Sequence, residues 1–433
     1  MRFPVVLLVL LVVTSGASAE VRIDGSYRLR FAVAHEIPRP GFDERDTQVL
    51  AHRLLVRAAT DRDGVGLVAE LGDSRTVFDD DGTPLGTDDV NALEPVQAHL
   101  RYRVRGGDDA TWDLRLGRMT MDVGSRRLVA RNRFRNTLNT FTGARAIWSQ
   151  RAARAEAFFV RSVARRPTDR DALDANEIAL DGLDAGAWFW GLFGARPIGP
   201  VRAETYAFGL DEAPEDGGRS HVTLGFRARF ERSVWEARVE AALQAGSVER
   251  VERLEHRAHF VHVRLSRAFD DGVRVDALFD LASGDDDPDD DRSGRFDTLF
   301  GARRFEYGPT GIHGLFARGN VVTPGLRLVV KQGRALEIMA THRGFWLESA
   351  RDAWVGTGWR DPEGGAGTFV GQQFETRVRW RPEVDGLLVE GGFAVLFAGE
   401  FADAVVDPSL DGSPITAYAQ LRYRFDHRTG ATR

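Results

Sequence analysis

The sequence predicts an all-β chain: a transmembrane antiparallel β-barrel of the outer-membrane type with about 18 strands, even in number as in single-chain bacterial barrels. Three observations carry that expectation. Apolar and polar residues alternate with period two through most of the chain. Tight turns and long loops follow one another in succession between the alternating segments. Tyr27, Tyr102, Trp112, Trp148, Trp235, Trp346, Trp380 and Tyr423 fall near segment ends, where interface girdles sit.

Residues 1–19 read as a secretory signal peptide. Arg2 is the positive start, Val5–Val13 the apolar centre, and Ala17-Ser18-Ala19 a small-x-small cleavage site. The apolar run is shorter than the roughly 20 residues a spanning helix needs. Glu20 is then the first mature residue, and residues 20–433 form one barrel domain exported to the cell outer membrane. Cysteine is absent, so the fold is held without covalent cross-links. The net charge of −6 gives no electrostatic argument for nucleic acid. Lys331 is the only lysine and every other basic residue of that class is arginine, whose planar fork fits carboxylates and phosphates.

The elements follow in order. Val21, Ile23, Tyr27, Leu29, Phe31 and Val33 alternate with Arg22, Asp24, Ser26, Arg28 and Arg30. Leu50–Ala58, Val65–Gly72, Val96–Arg105 and Trp112–Leu116 continue the pattern, then Ala144–Trp148, Arg154–Ala164, Gly186–Gly194 and Val201–Leu210. Val222–Phe230, Trp235–Gln244, Val261–Ser266 and Val273–Leu281 come next, followed by Leu326–Val330, Leu336–Leu347, Phe369–Arg381, Leu387–Phe397 and Ile415–Phe425. Short turns are expected at Asp61–Gly64, Gly106–Asp109, Gln150–Ala153, Gly194–Pro200, Glu231–Ser233, Asp270–Gly272, Gln332–Arg334 and Pro382–Asp385. Long loops are expected at Glu36–Thr47, Ser74–Asn91, Arg118–Thr142, Arg165–Asp184, Asp211–Gly218, Gly284–Asn320, Ser349–Gly367 and Glu400–Ser413.

With apolar faces toward lipid, the alternate residues line the lumen. Arg28, Arg53, Arg57, Arg101, Arg103, Arg115, Arg145, Arg227, Arg229, Arg238, Arg264, Arg327, Arg377, Arg379 and Arg422 fall there. The interleaved acids are Asp24, Glu204, Glu236, Glu240, Asp276, Asp280, Glu375 and Glu390. Bases outnumber acids, so an anion track is expected. Cross-strand pairing with the acids is the alternative for each arginine taken singly.

No enzymatic constellation competes. The histidines are scattered, and His259 and His262, three apart on a strand, face opposite ways. No nucleophile-base set, cofactor motif or metal-ligand spacing stands out. The acidic run Asp285–Asp291 offers oxygens to a calcium ion but lacks the spacing of a helix-loop-helix site, and reads as a solvated outer loop.

Two stretches resemble a known family. One holds Ser283-Gly284-Asp285, Gly294-Arg295-Phe296-Asp297-Thr298-Leu299-Phe300, Gly319-Asn320, Thr323-Pro324-Gly325-Leu326 and Phe345-Trp346-Leu347. The other holds Leu116-Gly117-Arg118, Val123–Val129, Arg135-Asn136 and Phe141–Arg145. Both are similar to the alginate-export porin family. The resemblance implies a barrel with an Arg-rich constriction and an anionic cargo, and it carries anion contact to Arg118, Arg126, Arg127, Arg145 and Arg343. Alternation adds Arg53, Arg115, Arg238, Arg264, Arg377 and Arg422 as pore-lining positions. Asp285, Asp287, Asp289, Asp291, Arg295 and Phe296 mark a loop expected to fold inward and gate the mouth. One departure is that residues follow Phe425, whereas such barrels usually end on an aromatic.

The expected function is an anion-selective porin. Its partners would be an anionic polysaccharide such as alginate or a smaller carboxylated solute, together with outer-membrane lipid. Whether a periplasmic export partner feeds the channel is open in the sequence. The alternative is a plugged barrel that binds or adheres through its outer loops.

Overall fold

The alternating segments form strands, and the strands close into a ring. The computed structural model describes residues 20–40, 46–80, 82–182, 186–249, 252–269, 272–309, 313–406 and 413–429. The expected signal peptide, residues 1–19, lies outside the described residues.

Among the described residues the wall strands are β1 (Glu20–His35), β2 (Thr47–Asp61), β3 (Val65–Val77), β4 (Asn91–Arg105), β5 (Thr111–Met119), β6 (Phe141–Gln150), β7 (Ala153–Ser162), β8 (Trp188–Ile198) and β9 (Val201–Asp211). They continue as β10 (Arg219–Arg232), β11 (Trp235–Glu249), β12 (Arg253–Ala268), β13 (Val273–Ala282), β14 (Val321–Gln332), β15 (Leu336–Trp346), β16 (Phe369–Trp380), β17 (Leu387–Ala398) and β18 (Ile415–Thr429). Each pairs antiparallel with its sequence neighbours, and β1 also pairs with β18, from Val21↔Thr429 to His35↔Ile415. A two-residue strand, Arg292–Ser293, runs parallel to Glu255–His256 outside this ring. Closure leaves the wall no open edge, which a bilayer demands of a sheet.

The faces separate as the alternation requires. On β2, Leu54 and Val56 are each 38% exposed, while Arg53 and Leu55, which alternate with them, are 5% and 8% exposed. The outward face is apolar right round, with Leu100, Leu116, Leu192, Leu224 and Leu326 exposed. Trp112, Tyr102, Trp235, Trp380 and Tyr423 are also exposed. A continuous exposed apolar belt is a lipid-facing surface.

The sequence reads some strands too short. β3 runs to Val77, β8 to Ile198 and β11 to Glu249, and β12 starts at Arg253 rather than near Val261. The turn expected over Gly194–Pro200 shrinks to Gly199–Pro200, with Pro197 paired to Arg202. These ends carry polar or mixed residues. A sheet that extends past the apolar layer keeps its hydrogen bonds without an apolar face, so alternation stops marking it.

The inner face is not polar throughout. Phe158, Phe189, Phe193 and Phe208 on β7–β9 point inward and are buried. The reason is a partner the alternation could not reveal. The segment between β5 and β6 folds into the lumen and packs Met121, Val123 and Val129 into the same cluster, with Met119 at the end of β5. The segment between β13 and β14 enters too, and Phe300 meets Phe141 and Phe189 at ring distances of 5.1 and 5.0 Å. The two inward segments pair with each other. Phe300 N donates to Leu128 O at 3.0 Å, Ala130 N to Phe300 O at 3.1 Å, and Ala302 N to Arg126 O at 3.0 Å. A four-residue helix, Arg304–Tyr307, sits on the second segment.

Candidate functional site: an arginine-lined constriction at the closing seam

The joint that closes the barrel also gathers positive charge. Arg28 on β1 stands opposite Arg53 on β2 and opposite Arg422 on β18. Like charges directly opposite destabilise a sheet, so this row needs acceptors. Among the described residues no carboxylate forms an ion pair with any of the three.

Arg28 and Arg53 draw on the inward segment instead. Arg28 donates to the carbonyls of Arg133 (3.1 Å), Phe134 (2.8 Å) and Arg135 (3.1 Å), and to Asn136 Oδ1 (2.8 Å). Arg53 donates to the carbonyls of Arg135 (2.9 Å), Asn136 (3.2 Å) and Arg133 (3.2 Å). Asn136 Nδ2 in turn donates to the carbonyls of Asp89 (2.8 Å), His52 and Arg75 (both 3.2 Å). Arg30, two residues along β1, donates to Gln420 Oε1 at 2.9 Å and lies 3.9 Å from the Phe134 ring centre.

Beside this row is a cavity of about 370 Å³. Nine arginines among the described residues line it (Arg28, Arg30, Arg53, Arg126, Arg133, Arg304, Arg377, Arg379 and Arg422) against two carboxylates, Asp122 and Glu390. A second cavity of about 760 Å³ shares Arg53, Arg133 and Arg422 with the first and extends to Asp385 and Gly386 in a short turn. The arginine row is therefore approached from the short-turn end of the barrel.

Four of the arginines singled out in the sequence meet at the cavity: Arg53, Arg126, Arg377 and Arg422. Arg126 lies 5.5 Å from the Phe305 ring centre, and Arg377 reaches Glu337 at 3.2 Å. The others are engaged elsewhere. Arg115 bonds Asp113 at 2.8 Å, Arg145 pairs with Glu156 inside the wall, and Arg238 and Arg264 share Glu236. Arg343 meets Asp280 at 2.8 Å. Arg118 ties β5 to Glu94 at 2.6 Å and to Asp181 at 2.8 Å. Arg127 joins both inward segments and the wall, reaching Glu240 at 2.7 Å, Glu306 at 2.6 Å and His262 at 2.8 Å. For these residues the cross-strand or loop-anchoring alternative describes what they touch.

The loop expected to gate divides in two. Asp285 is buried and accepts from Gly294 N at 3.0 Å. Asp287 and Asp289 reach Arg351 at 3.1 and 3.7 Å, and the Asp291 carbonyl accepts from Glu255 N at 2.8 Å. Arg295 bonds Asp352 at 2.8 Å, and Phe296 stacks on Phe260. That half is fastened to the rim and to the neighbouring loop. The lumenal part is the later one, where Arg304 pairs with Glu375, Arg318 pairs with Glu306, and Phe316 stacks on Phe345.

Arg28, Arg30 and Arg379 alternate onto the polar face in the sequence but carry no further mark there. Arg133 lies on an irregular segment and Arg304 on a four-residue helix, where strand periodicity gives no facing. Burial pulls the Arg303 guanidinium, in the second inward segment, down to about 10, with Arg135 adding to the effect. Burial, and then the neighbouring Asp88, push the Asp89 carboxyl up to about 7. Burial, with Arg30 and Arg39 nearby, pulls His313 down to about 3.

A closed antiparallel ring with an apolar outside, a charged inside and loops folded into the lumen defines a porin-type outer-membrane barrel. The chain belongs to the alginate export family, whose family model matches residues 20–414. Among solved structures it is similar to OpdK of Pseudomonas aeruginosa, in a structure with vanillate, at 11% identity and a TM-score of 0.60 over 94% of this chain and 99% of that one. It is likewise similar to OccAB3 of Acinetobacter baumannii, at 11% identity and a TM-score of 0.60 over 95% of this chain and 100% of that one. Identities this low carry the fold alone. A comparison with curated protein sequences gave no match. Family and fold together support an outer-membrane channel.

Proposed function

We propose that this chain is an anion-selective outer-membrane channel for carboxylated solutes, either an acidic polysaccharide such as alginate or smaller carboxylates. The observation that carries the reading is the excess of nine arginines over two carboxylates around the seam cavity. Rings of arginine inside a pore favour anions, and the guanidinium fork holds a carboxylate through two parallel bonds. Transport rather than catalysis fits the site, because its groups are positive and positional, with no nucleophile-base pair among them. The direct test is planar-bilayer conductance of the refolded mature chain, with reversal potential in a salt gradient and then added polyuronate. Anion selectivity with block by polyuronate is expected. A cation-selective or unselective pore overturns the reading.

One observation favours a second reading, a plugged barrel that binds at its outer surface. The two inward segments pair with each other and fill lumen space. That reading predicts silence in the bilayer.

A further inference from the structure

The arginine row is occupied by the chain itself. Seven hydrogen bonds run from Arg28 and Arg53 to the stretch 133–136, six of them to neutral backbone carbonyls and one to the Asn136 amide oxygen. A backbone carbonyl carries only partial negative charge. A carboxylate presents a full one, and hydrogen bonds to an ionised partner are roughly twice as strong. Three guanidinium groups side by side, none of them in an ion pair among the described residues, would gain most from such an exchange.

The geometry points to a latch: the carbonyls of Arg133 and Phe134 hold the place of a carboxylate on Arg28 and Arg53, and a carboxylated solute from the short-turn side displaces them. This rests on the anion-channel reading and adds to it how the path widens. Arg422 is the first contact. It lines both cavities and makes no hydrogen bond or ion pair among the described residues. Arg28 lies next to it in the row.

What moves is short. Arg131 is held by Glu70, and Arg135 by Asp88 at 2.6 Å. The crest between those pins carries Phe134, whose ring lies 3.9 Å from the Arg30 guanidinium and 4.7 Å from that of Arg304. When the crest leaves, Arg30, which bonds the neutral Gln420, is uncovered as well, while Arg304 stays paired with Glu375. Binding at the row therefore extends the positive surface available to the next carboxylate of a polymer.

The test uses the full mature chain. The sequence has no cysteine, so a nitroxide on Arg133→Cys reports the crest alone. Sodium glucuronate is the probe and glucose the uncharged control. A rise in the mobile fraction of the label with glucuronate, and none with glucose, is expected. Arg53→Gln is expected to raise the mobile fraction before any probe is added and to cut the response several-fold. Arg53→Lys, which keeps the charge and loses the fork, serves the same purpose if the first variant does not fold. Glucuronate that reduces the current while leaving the label spectrum unchanged overturns the latch. Loss of the channel reading is seen separately, as a reversal potential without anion preference.

Discussion

Arg127 and Glu306 lie 2.6 Å apart although they belong to different inward segments, one following β5 and the other following β13. Glu240 on the wall shares the same guanidinium at 2.7 Å. Removing one partner of a buried ion pair typically costs about 3–5 kcal/mol, because the other charge is left without compensation. Arg127→Ala should lower the thermal unfolding midpoint and raise mean conductance, since the segments lose a shared anchor. Adding Glu306→Gln should recover part of the stability, as a double-mutant cycle would read. Arg318 also holds Glu306, so the recovery is partial.

Charge without a counter-ion sets selectivity, and charge with one does not. Arg422→Glu should reduce the anion-to-cation permeability ratio several-fold, measured as reversal potential. Arg145→Gln should leave that ratio unchanged, because Glu156 neutralises Arg145 inside the wall and Arg154 still pairs with Glu156 once Arg145 is lost. Its effect should appear in stability instead. Equal shifts from the two substitutions would contradict the assignment of the path to the seam cavity.

The second inward segment is held by aromatic stacking as well as by ion pairs. Phe316 and Phe345 stack with ring centres 3.5 Å apart and planes 7° from parallel, and the Phe316 ring centre lies 5.8 Å from that of Trp354. Buried Phe→Ala replacements cost about 3–5 kcal/mol. Phe316→Ala should increase current noise and open-state dwell time in single-channel records. Arg304 should stay in place, because Glu375 and Tyr418 hold it from the wall.

Acid should act on the two lumenal neighbourhoods with opposite signs. His313 titrates at about 3 in the folded protein, below its ordinary 6.5, because burial and then the charges of Arg30 and Arg39 oppose its protonation. Its contribution is present above pH 6.5 and lost as pH falls toward 3. Asp89 titrates at about 7, above its ordinary 3.8, because of burial and Asp88. Its contribution is present below 3.8 and lost as pH rises through 7. Hydrogen exchange corrected for intrinsic rates should therefore rise in peptides around 313 and fall in peptides around 89 between pH 7 and 4. His313→Gln should flatten the first trend alone.

How much of this the sequence shows depends on what a residue faces. Period-two alternation reports the two sides of a wall, so Arg53 and Arg422 are placed inward and Leu54 and Leu421 outward by inspection. It says nothing of what stands opposite an inward residue across the lumen. Arg145 and Arg422 look alike in the sequence; the ion pair with Glu156 at one, and no ion pair among the described residues at the other, separates them. Phe158 and Phe208 face inward against the rule because a loop covers them, and that loop has no periodicity to read. The acidic run from Asp285 to Asp291 is conspicuous, but the ion pair with Arg351 keeps part of it at the rim. The plainer residues 297–309 and 313–318 supply the lumenal contacts.

Sealing the ring joins Arg30 to Gln420, residues 390 positions apart. Contacts so distant form slowly, and until they form, Glu20–His35 and Ile415–Thr429 are two bare edges. The same joint carries three adjacent cations, and two of them are satisfied by the stretch 133–136. Edge pairing and docking of that crest are thus a single cooperative event in assembly. Variants that weaken the crest should be slower to assemble from unfolded chain than to come apart once sealed, a hysteresis that refolding and unfolding rates in the same detergent would expose.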